Sequence, residues 1–284
     1  MPRALIAGCG YVGAVAADLF QAKGWEVEGW THSGESAAAL KGKPYQVRAV
    51  DIADCAAVAA AASRFDAVVH CASSGGGGAE GYRRVYLEGA RNLMEALHPP
   101  RFIFTSSTSV YAQKDGEWVD EESAAEPAHE TGKILREAEE FVRQNHGAIA
   151  RLAGIYGPGR SALLRKFLAG EARIEGDGSR FLNQVHRDDA AAALVFLASA
   201  PHEDVFNVAD NEPITQRAAY AWLAARLERT LPPTADSIAA RKRGASNKRV
   251  SNRKLRALSW TPRFPTFQAG MEHSVLPTLA RLGA

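Results

Sequence analysis

The chain has 284 residues, 46% of them hydrophobic, and a formal net charge of +2. That size suits one large domain or two unequal lobes sharing a core, and near-neutrality excludes a general attraction to nucleic acid or membrane surfaces. No apolar run approaches the roughly 20 residues of a membrane span, and Cys9, Cys55 and Cys71, odd in number and without metal-ligand spacing, read as the reduced thiols of a cytoplasmic protein.

The first strand begins at once, leaving no room for a signal peptide. Ala4-Leu5-Ile6 feeds into Gly8, Gly10 and Gly13, and a helical pattern follows from Val12 to Lys23. The first glycine permits a tight turn, the second a close backbone approach to a diphosphate, and the third the packing of helix on strand. The helix start, with Tyr11 and Val12, presents N–H groups and a partial positive charge to that anion. A dinucleotide site is the reading.

Trp25 to Trp30 is the second strand, with Gly24 as the helix stop. It ends in Thr31, His32 and Ser33, where no carboxylate stands to repel a 2′-phosphate, which favours NADP over NAD. Tyr45 to Val50 is a third strand, ending at Asp51 and Ile52, and Cys55 to Ser63 is a helix. Ala67 to His70 is a fourth strand, running into Cys71, Ala72 and the glycines at 75 to 78. The position past a parallel strand's C-terminal end is where ligands sit in open α/β sheets; the plainer reading of the four glycines is a flexible linker.

A helix over 81–97 stops before Pro99 and Pro100, and Arg101 to Ser106 is a fifth strand. Ala128 to His146 is a long amphipathic helix, and Ala148 to Leu152 a sixth strand. Six alternations of strand and helix imply a Rossmann-type, doubly wound parallel α/β sheet. Beyond it come a turn-rich stretch from Gly154 to Arg160, a short strand near 181–185, an Ala-rich helix from Asp188 to Ser199, and Val205 to Ala209 as a last strand. We expect a cofactor-binding lobe from 1–155 plus 188–210, and a smaller substrate lobe from 156–187 and 211–284.

The turn Gly8 to Gly13, Asp51-Ile52, Ser106 to Tyr111, Arg151 to Arg160, Val185 to Asp189 and Phe206 to Asp210 stand in the order of one known family. In series they resemble the extended and atypical short-chain dehydrogenase/reductases, the NAD(P)-dependent epimerase/dehydratase group. The resemblance implies Asp51 and Ile52 at the adenine, and Ile155 and Tyr156 at the nicotinamide. It also implies a hydroxyl at Ser107 to polarise the substrate, Lys133 on the nicotinamide ribose, and a homodimer through the 81–97 and 128–146 helices. The family's tyrosine, four residues before the lysine, is replaced here by His129.

On a helix running from Ala128, His129 and Lys133 would share a face. One reading makes His129 the acid/base, its ordinary pKa of roughly 6.5 suiting proton transfer near neutrality. The other makes it a polar residue in a site that no longer catalyses, and the protein an NADP-binding regulatory or interaction protein. Tyr86, Tyr111 and Tyr156 are further sources of a phenol. Basic residues crowd positions 241–256, from Arg241, Lys242 and Arg243 to Lys248, Arg249 and Arg256. They read either as a solvated face or as a selector of an anionic small-molecule substrate. The sequence shows no metal constellation.

Overall fold

The structure is a computed structural model that describes residues 1–235 and 246–281. Its central sheet has seven strands: β1 (Arg3–Ala7), β2 (Glu26–Thr31), β3 (Gln46–Ala49), β4 (Ala67–His70), β5 (Phe102–Ser107), β6 (Ala148–Leu152) and β7 (Val205–Val208). Their order is β7-β6-β5-β4-β1-β2-β3. β1 pairs in parallel with both β2 and β4, Ala4 lying opposite Val27 on one side and Ala67 on the other. Ala4 to Ala7 are fully buried, which is why this strand reads as an unbroken apolar run rather than an alternation.

The sheet winds one way from β1 to β3 and the other way from β4 to β7. At that reversal the loops after β1 and β4 leave the sheet side by side, the position at which open α/β sheets take ligands. The doubly wound α/β fold expected from the alternation is the fold observed.

The first helix, α1 (Gly13–Ala22), buries Gly13, Ala16, Ala17 and Phe20, one face of a 3.6-residue period. It is followed by α2 (Gly34–Ala38), α3 (Cys55–Ala60), α4 (Gly78–Tyr82) and α5 (Gly89–Leu97), then α6 (Glu130–Gln144). α4 and α5 are joined by a π-helical turn, Arg83–Glu88, so the element expected over 81–97 carries a widened turn in its middle. α6 begins two residues later than the apolar spacing predicts. Pro127 lies over Gly132, where an added Cβ would come within 2.5 Å of the proline Cβ, so the chain arrives across the helix rather than along it.

The path divides into two compact units, the first made of 1–110, 125–151 and 190–206, the second of 111–124, 152–189 and 207–284. The second unit packs Tyr156, Leu164, Phe167, Ile174, Leu223, Phe267 and Met271 into a core of its own. Short ladders knit it together. Trp118–Val119 pairs with Arg249–Val250, Gln184–His186 with Gly154–Tyr156, and Phe181–Leu182 with Ile214–Thr215.

Candidate functional site

Three glycines of the first turn stand in three different surroundings. Gly8 adopts φ +101°, and a Cβ on it would stand 2.2 Å from the Ala72 nitrogen. Gly13 is closed by the turn itself, since its Cβ would stand 2.2 Å from the Gly8 carbonyl oxygen. Gly10 is different: a Cβ there would meet nothing within 4 Å. The first and third are fixed by packing, whereas the second faces open space, the cradle a diphosphate needs. The Val12 cap of α1 makes no side-chain hydrogen bond, and no acid stands in the first turn, so the helix start keeps its attraction for an anion.

The loop after β4 is tied to this turn, Cys71 N–H donating to the Ala7 carbonyl at 2.7 Å. Burial pushes the Cys71 thiol up to about 12 and the Cys9 thiol up to about 11. Neither is a thiolate at neutral pH, so neither is a nucleophile.

At the end of β2 the three predicted side chains part company. Thr31 is buried, its hydroxyl donating to the Ser33 carbonyl at 3.1 Å. Ser33 caps α2, accepting from Ser36 N–H. His32 alone projects outward, its side chain 78% exposed, with Nδ1 3.6 Å from Asp51 Oδ1. Asp51 also receives Arg84 at 3.1 Å and Ala53 N–H at 3.0 Å. Ile52 is buried, and Asn92 Nδ2 donates to its carbonyl. Arg84 was not singled out in the sequence, because the π turn that carries it leaves no mark in the apolar spacing.

Ser107 ends β5 and accepts Ser109 N–H at 3.1 Å, so its own proton is free to be donated. His129 is the N-cap of α6, with extended backbone (φ −94°, ψ 146°), exposed and making no side-chain cap bond. It therefore lies outside the helix, and the shared helical face with Lys133 does not form. Lys133, 62% exposed, sits 4.0 Å from Glu130. Tyr86 belongs to the π turn, its ring 4.9 Å from that of Tyr82.

Beneath Ser107 the first unit buries an ionic network that the sequence reading missed. Glu139, with no exposed surface, accepts from Ser106 Oγ at 2.6 Å and from Arg151 at 2.7 and 3.0 Å, and Arg136 reaches it as well. The signal was present: Glu139 falls on the apolar stripe of α6 between Leu135 and Val142, where an acid must be paired.

In the second unit, Ile155 is half-buried opposite Val185. Tyr156 is buried, its hydroxyl 3.4 Å from the carbonyls of Thr266 and Phe267, and burial raises its pKa. Tyr111 is buried and donates to Asn207 Oδ1 at 2.9 Å. Both phenols are committed to internal bonds. Among the described residues, no group of histidine, cysteine and acid side chains is placed to hold a metal, and no helix is long and apolar enough to cross a membrane.

The model of the NAD dependent epimerase/dehydratase family matches residues 4–209. The chain belongs to that family. It is 35% identical over 217 residues to Protein YeeZ of Escherichia coli K12, a match covering 71% of this chain and 74% of that protein. Among solved structures, a putative NAD-dependent epimerase/dehydratase from Methylobacillus flagellatus superposes with a TM-score of 0.79 at 29% identity, over 100% of this chain and 99% of that one. UDP-glucuronic acid 4-epimerase from Bacillus cereus, in complex with NAD, shares the fold with a TM-score of 0.79 at 18% identity, over 99% and 100% of the two chains. The family match spans the glycine turn, Asp51, Ser107, His129 and Lys133.

Proposed function

We propose that this family member is an NADP-favouring oxidoreductase or epimerase-like enzyme, acting by hydride transfer on a small polar, anionic substrate. The observation that carries the reading is the turn at Gly10, where the backbone is bare on its open side and the helix start beyond it is uncapped. A nicotinamide dinucleotide, when bound, supplies or accepts the hydride. The residues of the chain do the remaining work. Gly8, Gly10, Tyr11, Val12 and Gly13 hold the diphosphate. His32 and Arg84, both cationic or cationisable and both beside Asp51, face the ribose end and balance a 2′-phosphate. Ser107 keeps a proton to donate to the substrate oxygen, Lys133 holds the nicotinamide ribose, and His129 moves the proton.

A second reading, a catalytically degenerate NADP-binding regulatory protein, is favoured by one observation. The His129 imidazole is exposed and has no partner among the described residues. Nothing there orients the ring, as a working acid/base requires.

Calorimetric titration tests the cofactor claim, with NADP(H) expected to bind at least about tenfold more tightly than NAD(H), a difference of about 1.4 kcal/mol. Tighter NAD(H) binding overturns the ribose-end assignment, and no binding of either at millimolar concentration overturns the site. A screen of carbonyl compounds for NADPH oxidation then separates the two readings. Turnover that survives His129→Ala but not Lys133→Ala removes His129 from the mechanism. We propose too a homodimer, which the family resemblance implies and sedimentation velocity would check, and a cytoplasmic location, which the cysteine pattern implies.

A further inference from the structure

Two lysines of the first unit stand on the wall of an open hollow for which the hydride chemistry above has no use. The basic stretch near the C-terminus offers less. Arg241, Lys242 and Arg243 lie outside the described residues, and Lys248 is buried, donating to the Tyr111 carbonyl at 2.8 Å and to Ser246 Oγ at 2.6 Å. The hollow encloses about 330 Å³ between α2 and the start of β3, and Ala37, Leu40, Lys41, Lys43, Tyr45 and Val47 are on its wall. Tyr45 enters β3 and Asp51 follows it, so the hollow opens at the end of that strand away from Asp51.

The cause of the hollow is local. α2 has five residues, a rise of about 7.5 Å, whereas the four residues of β3 run about 13 Å. The helix is too short to cover the strand, and β3 alone of the seven strands has no fully buried residue. Ala37 and Leu40, three apart at the helix end, and Tyr45 and Val47, two apart on the strand, are each half-buried and keep apolar surface open to the hollow. The wall is braced from behind. Tyr45 donates its hydroxyl to Asp18 Oδ1 at 3.1 Å, and Lys43 Nζ reaches the two oxygens of Asp18 at 2.7 and 3.0 Å. A Cβ on Gly29 would stand 2.8 Å from Cys9 Sγ and 3.5 Å from Val47 Cγ2, so the floor is closely packed. Lys41 differs from Lys43: it is exposed, and its ammonium has no hydrogen-bond or ion-pair partner among the described residues.

An apolar wall with one phenol ring and one cation lacking a counter-charge is complementary to a ring that carries an acid group. Asp18 neutralises Lys43, so Lys41 leaves the lining with a net positive charge. A volume of about 330 Å³ stands at the small end of small-molecule sites and admits one substituted ring. We propose that the hollow is a binding site for a small aromatic anion, its ring against Leu40, Tyr45 and Val47 and its carboxylate or phosphate on Lys41 Nζ. The whole site belongs to the first unit and does not depend on the dinucleotide reading. The ring gains by packing on Tyr45, and the acid group gains a charge-assisted hydrogen bond from the ammonium. Neither a neutral ring nor a ringless acid satisfies both.

The test is a titration of the full chain, read from its two-dimensional amide NMR spectrum, with salicylate and, separately, phenyl phosphate. Benzyl alcohol and acetate supply the ring and the charge alone. In the wild type one or both aromatic anions move the Lys41, Gly42 and Val47 amides saturably, with a Kd of about 1 mM, ordinary for a ligand of about ten atoms. The tighter of the two assigns the acid group, and both controls bind at least about tenfold more weakly. Lys41→Met lowers the aromatic anion to the level of benzyl alcohol. Ala38→Trp, which fills the hollow from an exposed position on its wall, abolishes the shifts. Both variants melt with the wild type. The proposal is overturned if neither aromatic anion moves these amides at about ten times that concentration, or if the shifts fall on Gly8 to Gly13 instead. Benzyl alcohol binding as tightly as the anions also overturns it, as does an unchanged response in either variant.

Discussion

At Gly10 a side chain would point into open space, so substitution there tests binding rather than folding. Gly10→Ala is expected to leave Tm unchanged and to weaken NADP+ binding at least about tenfold, because the methyl group occupies the cradle. Gly8→Ala is expected to lower stability by about 2–3 kcal/mol, since its Cβ meets the Ala72 backbone and its φ is left-handed. Denaturant unfolding and calorimetry on the two variants check both. Equal effects on stability would remove the distinction. The spacing Gly8, Gly10, Gly13 was legible in the sequence because glycine's lack of a Cβ is a local property. The split between His32 and its neighbours was not. Thr31 and Ser33 carry the same hydroxyl in sequence, and only the folded turn shows that one bonds inward and the other caps α2.

Among the elements, α6 is held to the sheet by charge as well as by its apolar stripe. Glu139→Gln removes the carboxylate that Arg151 and Arg136 share, taking the counter-charge from a buried guanidinium, and should cost about 3–5 kcal/mol in urea unfolding. The π turn is a second case. His70, fully buried on β4, donates from Nε2 to the Val85 carbonyl at 2.9 Å, an acceptor that the widened turn presents, and burial pushes its pKa down to about 4. Between pH 6.5 and 4 the unfolded chain therefore binds a proton that the folded chain refuses, and stability falls as pH falls through that window. The slope is at most about 1.4 kcal/mol per pH unit for this group. His186, also pushed down to about 4, acts in the same direction, while Asp210, raised by burial, opposes both. His70→Asn should flatten the acid side of the profile, as read from urea midpoints at pH 6.5 and 5. Apolar spacing revealed the helix over 81–97 but not its π turn, which adds a residue without disturbing the pattern of Val85, Leu93 and Leu97. It also placed His129 inside α6, because spacing cannot show Pro127 folding back over Gly132.

For the whole molecule, the parallel, doubly wound character of the sheet was readable from alternation, since parallel strands need crossovers and crossovers have one hand; the order of the strands was not. The membership of each unit was less so. Residues 111–124 belong with the second unit through a two-residue ladder to Arg249–Val250, a pairing too short for any periodicity to announce. The chain changes unit after 110, 124, 151, 189 and 206. A fragment ending at 155 lacks β7 and the helix Arg187–Ser199, and is expected to show no cooperative melting by circular dichroism. The same threading fixes the order of events during synthesis. The first unit cannot close until residue 206 has left the ribosome, by which point 111–124 and 152–189 of the second are already outside. Neither unit, then, can have been acquired or lost by cutting the gene at a single point.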